Sequence, residues 1–312
     1  MKKALLDMLI CPGCLSEENR LQETIVEAYK EEIIEGTLKC SRCRSVYPIQ
    51  QGMAFLNPEP SAAPQTQNRY ESPPALSSYL WSHYGDLIGD EQATDAYSRW
   101  AQLMGSNSGA CLDTGSAVGR FSFEMAKKFD FVVGIDNSIS FIRASRELMN
   151  HRRSDLALLE EGVLTRQETL IFPEDWETDN TEFIVGDAQA LPFRSGTFSA
   201  LSSLNIVDKV PKPMSHLAEI NRVARADQAQ FLFSDPFSWS TEVAPEEDWL
   251  GGKIKGQFSG RGQDNIIALL EGKIGGLTPV WKVDAQGHIW WKIRTHSNHY
   301  EMIRSCFIKA SR

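Results

Sequence analysis

The chain has 312 residues, 42% hydrophobic and 23% charged, which suits a folded globular protein of about two units and excludes fibrous or largely disordered chains. With 32 basic against 41 acidic residues the net charge is −9, which argues against nucleic acid as a partner, because sequence-independent affinity for it depends on Lys and Arg neutralising phosphates. No apolar run approaches the roughly 20 residues that a membrane span needs, and Asp7 interrupts the opening MKKALLDMLIC, so no membrane partner is expected and a cytoplasmic location is.

From the amino end, four of the six cysteines form two C-x-x-C pairs, Cys11/Cys14 and Cys40/Cys43. Thiolates two residues apart can chelate one Zn²⁺, and two such knuckles close a tetrahedral shell with no open position, the mark of a structural site. The metal would also supply folding free energy to a unit, residues 1–56, too small to rely on its core. The competing reading is redox or disulfide chemistry, but thioredoxin-like motifs come singly and precede a helix. SVYPIQQGMAFLN, alternating and broken at Gly52, predicts a hairpin that closes a small ribbon. Residues 57–78 carry Pro58, Pro60, Pro64, Pro73 and Pro74 among polar residues and read as a linker. The spacing of Leu76, Leu80, Tyr84, Leu87 and Ile88, then Ala93, Tyr97, Trp100 and Met104, predicts two helices separated near Gly89.

Beyond Gly109, short apolar runs at 110–113, 131–136, 183–187, 198–205 and 231–235 alternate with helical periodicity, predicting parallel strands joined by crossover helices. The runs end at Asp113, Asp136, Asp187, Asn205 and Asp235. Ligands of an open parallel sheet sit outside the carboxyl ends of its strands, so these residues form a row of acceptors along one rim. Residues 151–181 read as an insertion, and HIWWKIRTHSNHYEMIRSCFIKASR as two antiparallel strands at the sheet edge. The expected fold class is thus α/β, a Rossmann-like doubly wound sheet with an antiparallel C-terminal hairpin, plus a small N-terminal zinc ribbon.

Within CLDTGSAVGRFSFEMA, Gly115 and Gly119 allow a sharp turn and close approach of backbone to a ligand. The spacing is not the pyrophosphate fingerprint G-x-G-x-x-G, and no G-K-[ST] follows, which disfavours dinucleotides and nucleoside triphosphates. Asp136 can accept two bonds from ribose hydroxyls, and Asp187, in GDAQALPF, one from an adenine amino group.

This series resembles the class I S-adenosylmethionine-dependent methyltransferases over residues 109–312, and the domain it implies is taken as residues 79–312. The resemblance implies that S-adenosylmethionine is the cofactor, with Asp113 and Gly115 beside its methionine portion, Asp136 at the ribose, and Asp187 with Ala188 at adenine. The implied cofactor-binding set is Asp113, Gly115, Ala117, Gly119, Asp136, Asn137, Asp187, Ala188 and Asn205. Ala117 departs from the glycine that many members carry. The segment 1–57, through its CPxC, CxxC and YPIxxGMxFL pattern, resembles the small zinc-ribbon activator proteins of tRNA and translation-factor methyltransferases. VGRFSFEMA, GIDNSISFI, the connection DPFSWSTEVAPEEDWLGGKIKG and the final hairpin are similar to the methyltransferase domain of ovothiol-type enzymes, which act on 4-mercaptohistidine.

The expected function is methyl transfer to a small molecule, such as a thio-imidazole. Trp239 and Trp249 are candidate pocket walls, and Arg294, in a tail of six basic against two acidic residues, is a candidate clamp for a substrate carboxylate. The alternatives are a methyltransferase of tRNA or protein with the ribbon as recognition arm, and a non-catalytic assembly module on a degenerate domain. No residue stands out as catalytic. His288, His296 and His299 read as surface or edge-strand residues, and Cys111 and Cys306 as small apolar strand residues. Oligomeric state has no signal in the sequence.

Overall fold

The computed structural model describes residues 1–59 and 69–312. The amino-terminal unit is a four-stranded antiparallel ribbon of β1 (Leu21–Tyr29), β2 (Glu32–Cys40), β3 (Val46–Gln50) and β4 (Met53–Leu56). Alternation sets its inner face: Tyr47 and Ile49 are buried while Val46 and Gln50 are exposed. The β3–β4 turn is Gln51-Gly52, with φ of 52° and 75°, the left-handed pair that matches strand twist in a two-residue hairpin.

Helix α1 (Pro73–Tyr84) begins inside the segment expected to be linker. Ser72 caps it by accepting from the Ala75 amide at 3.3 Å, and Pro73 and Pro74 occupy the first turn, where a missing N–H costs nothing. Residues 60–68 of the expected linker lie outside the described residues. The second expected helix is α2 (Ala96–Gln102).

The α/β part then runs β5 (Ala110–Thr114), α3 (Arg120–Ala126), β6 (Phe131–Asp136), α4 (Ile139–His151), β7 (Arg153–Glu161), β8 (Leu164–Ile171), β9 (Thr181–Gly186), β10 (Phe198–Leu204), α5 (Pro213–Val223), β11 (Gln230–Asp235), α6 (Gly262–Leu270), β12 (Lys282–His296) and β13 (His299–Ser311). The insertion is the separate hairpin β7–β8. It leans on α1, whose Ser77 hydroxyl accepts from the Leu159 amide at 2.8 Å, and on the β12–β13 turn, where Ser297 Oγ donates to the Glu160 carbonyl at 2.7 Å.

Ribbon and α/β sheet form one eleven-stranded sheet in the order β1-β2-β3-β4-β9-β6-β5-β10-β11-β13-β12. Phe55 and Leu56 of β4 pair in parallel with Val185 and Gly186 of β9. Leu5, Ile33, Tyr47 and Leu56 therefore share a hydrophobic core with Leu112, Ile135 and Ile184. The ribbon is continuous with the larger unit rather than hung from it. Beneath the seam, Glu182 of β9 is wholly buried and pairs with Arg146 of α4, which also lies 3.8 Å from Glu32 of the ribbon. Removing one member of a buried pair strands the other charge in a low-dielectric site. Arg146→Met is thus expected to destabilise the protein by about 3 kcal/mol, and adding Glu182→Gln to recover part of that loss, as read from denaturant midpoints.

Candidate functional site

The sheet's carboxyl rim carries the pocket that the sequence anticipates. β5 ends in Asp113, which is buried and accepts from Ser122 Oγ and Ser202 Oγ, each at 2.7 Å. Burial pushes its carboxyl up to about 6 against those two bonds. Gly115 follows at φ 70°, and a Cβ there would lie 2.3 Å from Ile206, so only glycine fits. Ala117 sits at φ 46°, the region glycine prefers, so the departure noted in the sequence costs backbone strain of about 1 kcal/mol.

Asp136, at the end of β6, accepts from the Ala117 amide through Oδ2 and from the Ser138 amide through Oδ1, both at 2.9 Å. Each oxygen retains a lone pair for a hydroxyl. Burial raises this carboxyl to about 6, with the nearby Glu71 charge adding to the effect. After β9, Asp187 accepts from the Gln189 amide at 2.8 Å. The next residue is fixed through His216, whose Nδ1 lies 3.1 Å from the Ala188 carbonyl and whose Nε2 lies 2.8 Å from Ser203 Oγ. A carbonyl only accepts, so Nδ1 carries the hydrogen, and burial holds the ring neutral with its pKa near 4. Asn205 accepts through Oδ1 from Ser305 Oγ at 2.6 Å, and Ser305 in turn accepts from Trp291 Nε1 at 3.0 Å.

One pocket is lined by Asp113, Gly115, Ala117, Asp136, Asn137, Asp187, Ala188 and Asn205 together, so eight of the nine expected cofactor residues converge. Gly119 does not line it. With φ 85° it starts α3 and packs against Phe183. The opposite wall comes from α1, α2 and β12: Tyr79, His83, Tyr97 and Trp291. Sequence reasoning passed these over because the helices read as ordinary amphipathic segments; the available signal was Tyr79 and His83 four apart, hence on one helix face.

The three expected substrate contacts lie elsewhere. Trp239 and Trp249 stack on each other with centroids 6.2 Å apart, and Trp249 Nε1 is spent on the Ala244 carbonyl at 2.9 Å. Neither lines the pocket. Arg294 is buried and pairs with Glu160 at 2.6 Å, so it braces the inserted hairpin rather than clamping a ligand.

The four knuckle cysteines form the second feature. Their sulfurs all lie within 4.8 Å of one another, and none is in a disulfide. Thiolates about 2.3 Å from a shared tetrahedral ion have this spacing, so the residues fit Zn²⁺ with the closed shell of a structural site. Tyr47 OH lies 3.2 Å from Cys11 Sγ, an outer bond of the kind that orients a metal ligand. The segment before the knuckle also reaches the chain just beyond Asp187 and Ala188. Ile10 N donates to the Pro192 carbonyl at 2.9 Å and Arg194 N to the Met8 carbonyl at 3.0 Å, while Glu219 accepts from Leu191 N at 2.9 Å.

Residues 112–231 match the family described as "Methyltransferase domain", and residues 2–52 the one described as "Trm112p-like protein". The Arabidopsis thaliana protein "Uncharacterized methyltransferase At1g78140, chloroplastic" is 24% identical over 261 residues, 74% of this chain and 64% of its own length. Among solved structures, the YcgJ protein of Bacillus subtilis aligns with 70% of this chain and 98% of its own at 11% identity and a TM-score of 0.44. A chain from a complex of the Haloferax volcanii Trm112 methyltransferase activator aligns with 76% of this chain and 96% of its own, at 13% identity and a TM-score of 0.45. The sheet order and the matched domain are those of a Rossmann-like methyltransferase fold. Its amino-terminal part is Trm112-like, with a four-cysteine cluster suited to structural zinc.

Two outcomes follow. Metal-replete protein is expected to hold one Zn²⁺ per chain by elemental analysis, and stripping it to weaken S-adenosylhomocysteine binding severalfold in calorimetry, because segment 191–194 loses its ribbon partner. Cofactor affinity is also expected to fall as pH drops through about 6, since the Asp136 carboxylate that accepts hydroxyls becomes protonated there. Asp136→Asn should flatten most of that dependence, with Asp113, also near 6, supplying the remainder.

Proposed function

We propose that the chain transfers the cofactor's methyl group to a small, planar acceptor, with a thio-imidazole or related heteroaromatic amino acid as the narrower candidate. The single observation that carries this reading is the pocket's aromatic wall. Tyr79, His83, Tyr97 and Trp291 line the same pocket as the acidic rim, and rings of this kind suit a flat molecule. Bound S-adenosylmethionine supplies an electrophilic methyl on a sulfonium, and the chain's own work is to position and desolvate the acceptor. The thio-imidazole choice rests on the likeness to ovothiol-type domains, while the acidic surroundings favour a neutral or cationic ring over an anionic one.

Reading the ribbon as a recognition arm for tRNA or protein has one supporting feature, the exposed outer strand β1 with Val26 at 78% and Tyr29 at 67% exposure. Against it, the ribbon joins the sheet at β9, the strand leading to Asp187, whereas the aromatic wall leans on β12 at the far edge. Incubation with methyl-labelled cofactor tests the proposal. Labelled product is expected from histidine-derived thiols or imidazoles, with Asp136→Ala weakening cofactor binding by about 2–3 kcal/mol. Labelling of tRNA or protein with none of these metabolites would overturn it.

A further inference from the structure

Among the described residues that line the pocket, two side chains have a buried polar atom without a hydrogen-bond partner, His83 and Ser116. His83 is 3% exposed, and its Nδ1 makes no hydrogen bond, while Nε2 lies 2.6 Å from Tyr97 OH. An unpaired buried nitrogen costs about 1–3 kcal/mol, so such a group in a pocket wall marks a place where a ligand completes the bond. Burial, and then the charge of Arg120, hold the ring well below its ordinary pKa, so it is neutral. The Tyr97 phenol stays protonated because burial and Asp113 raise it. A phenol that donates to Nε2 leaves the imidazole hydrogen on Nδ1, which makes the unpaired atom a donor.

Its position says which part of a ligand it meets. The His83 carbonyl accepts from Arg120 Nη1 at 2.7 Å, and the neighbouring Tyr84 OH donates to the Val118 carbonyl at 2.6 Å. His83 is thereby pinned over the glycine loop and the start of α3, beside Asp113. Asp136 and Asp187 lie farther along the rim, on β6 and after β9. With ribose at Asp136 and adenine at Asp187, the end of the cofactor that reaches the loop is its amino acid.

We propose that His83, set by Tyr97, donates from Nδ1 to the carboxylate of the cofactor's amino-acid end, with the Asp113 carboxylate on the ammonium side. The assignment rests on the methyltransferase reading and adds to it a residue that selects cofactor from simpler adenosine thioethers. No charged donor is needed, because a neutral N–H in a dry pocket bonds a carboxylate strongly.

The test is calorimetric, uses the full zinc-loaded chain and needs no methyl acceptor. Three probes are compared: S-adenosylhomocysteine, decarboxylated S-adenosylmethionine, which keeps the amine, and 5′-methylthioadenosine, which has neither group. His83→Ala is expected to weaken S-adenosylhomocysteine about tenfold, about 1.4 kcal/mol, and to leave the other two within about twofold. His83→Asn, whose amide N–H falls near the Nδ1 position, should recover part of the loss and guards against a variant that fails to fold. Equal weakening of all three probes would show a merely structural role, and unchanged S-adenosylhomocysteine affinity would remove His83 from the site; either overturns the proposal. Failure of wild-type protein to bind any probe would instead overturn the cofactor assignment on which it rests.

Discussion

Two backbone pairs, Phe55 with Val185 and Leu56 with Gly186, decide the shape of the whole molecule. They turn the edge of a seven-stranded α/β sheet into an interior position and leave the ribbon's β1 and the final hairpin's β12 as the outer strands. An open β9 edge would present unpaired N–H and C=O groups next to the cofactor loop, and β4 covers it. The cysteine knuckle then lies where its backbone reaches residues 192–194, a few positions after Asp187 and Ala188 of the pocket. Folding of the ribbon and construction of the site are one problem.

The rim that results is costly to build. Asp113 and Asp136 are both raised to about 6, and Asp235, near Asp208, is raised further by burial. Each is held by short donors: serine hydroxyls on Asp113, backbone amides on Asp136 and on Asp235. Of these, Asp113 and Asp136 line the pocket and retain acceptor capacity toward it. The facing wall is neutral and aromatic, so the site pairs a charged floor with a flat apolar ceiling.

Much of this was legible in the sequence because local chemistry dictated it. Two C-x-x-C knuckles have few uses, strand runs ending in carboxylates declare a rim, and Gly115 marks a turn that tolerates no side chain. What stayed hidden depends on long-range packing. His83 and Tyr97 are fourteen positions apart on different helices, and only their docking on β12, where Ser82 donates to the Lys292 carbonyl at 2.7 Å, aims them inward. Trp239 and Trp249 had the composition of a pocket wall, but they stack on each other away from the pocket. Arg294 had the charge of a clamp, but the inserted hairpin supplies Glu160, a partner whose reach no spacing reveals. Pro73 and Pro74 signalled a linker because proline opens helices as readily as it prevents them.

The most direct measurement is a structure of the zinc-loaded protein with S-adenosylhomocysteine. The account places adenine at Asp187 and Ala188, the ribose hydroxyls on Asp136, and the amino acid against Asp113, Gly115 and His83. A nucleoside bound elsewhere on the sheet, or the same pocket occupied in the reverse direction, would contradict it.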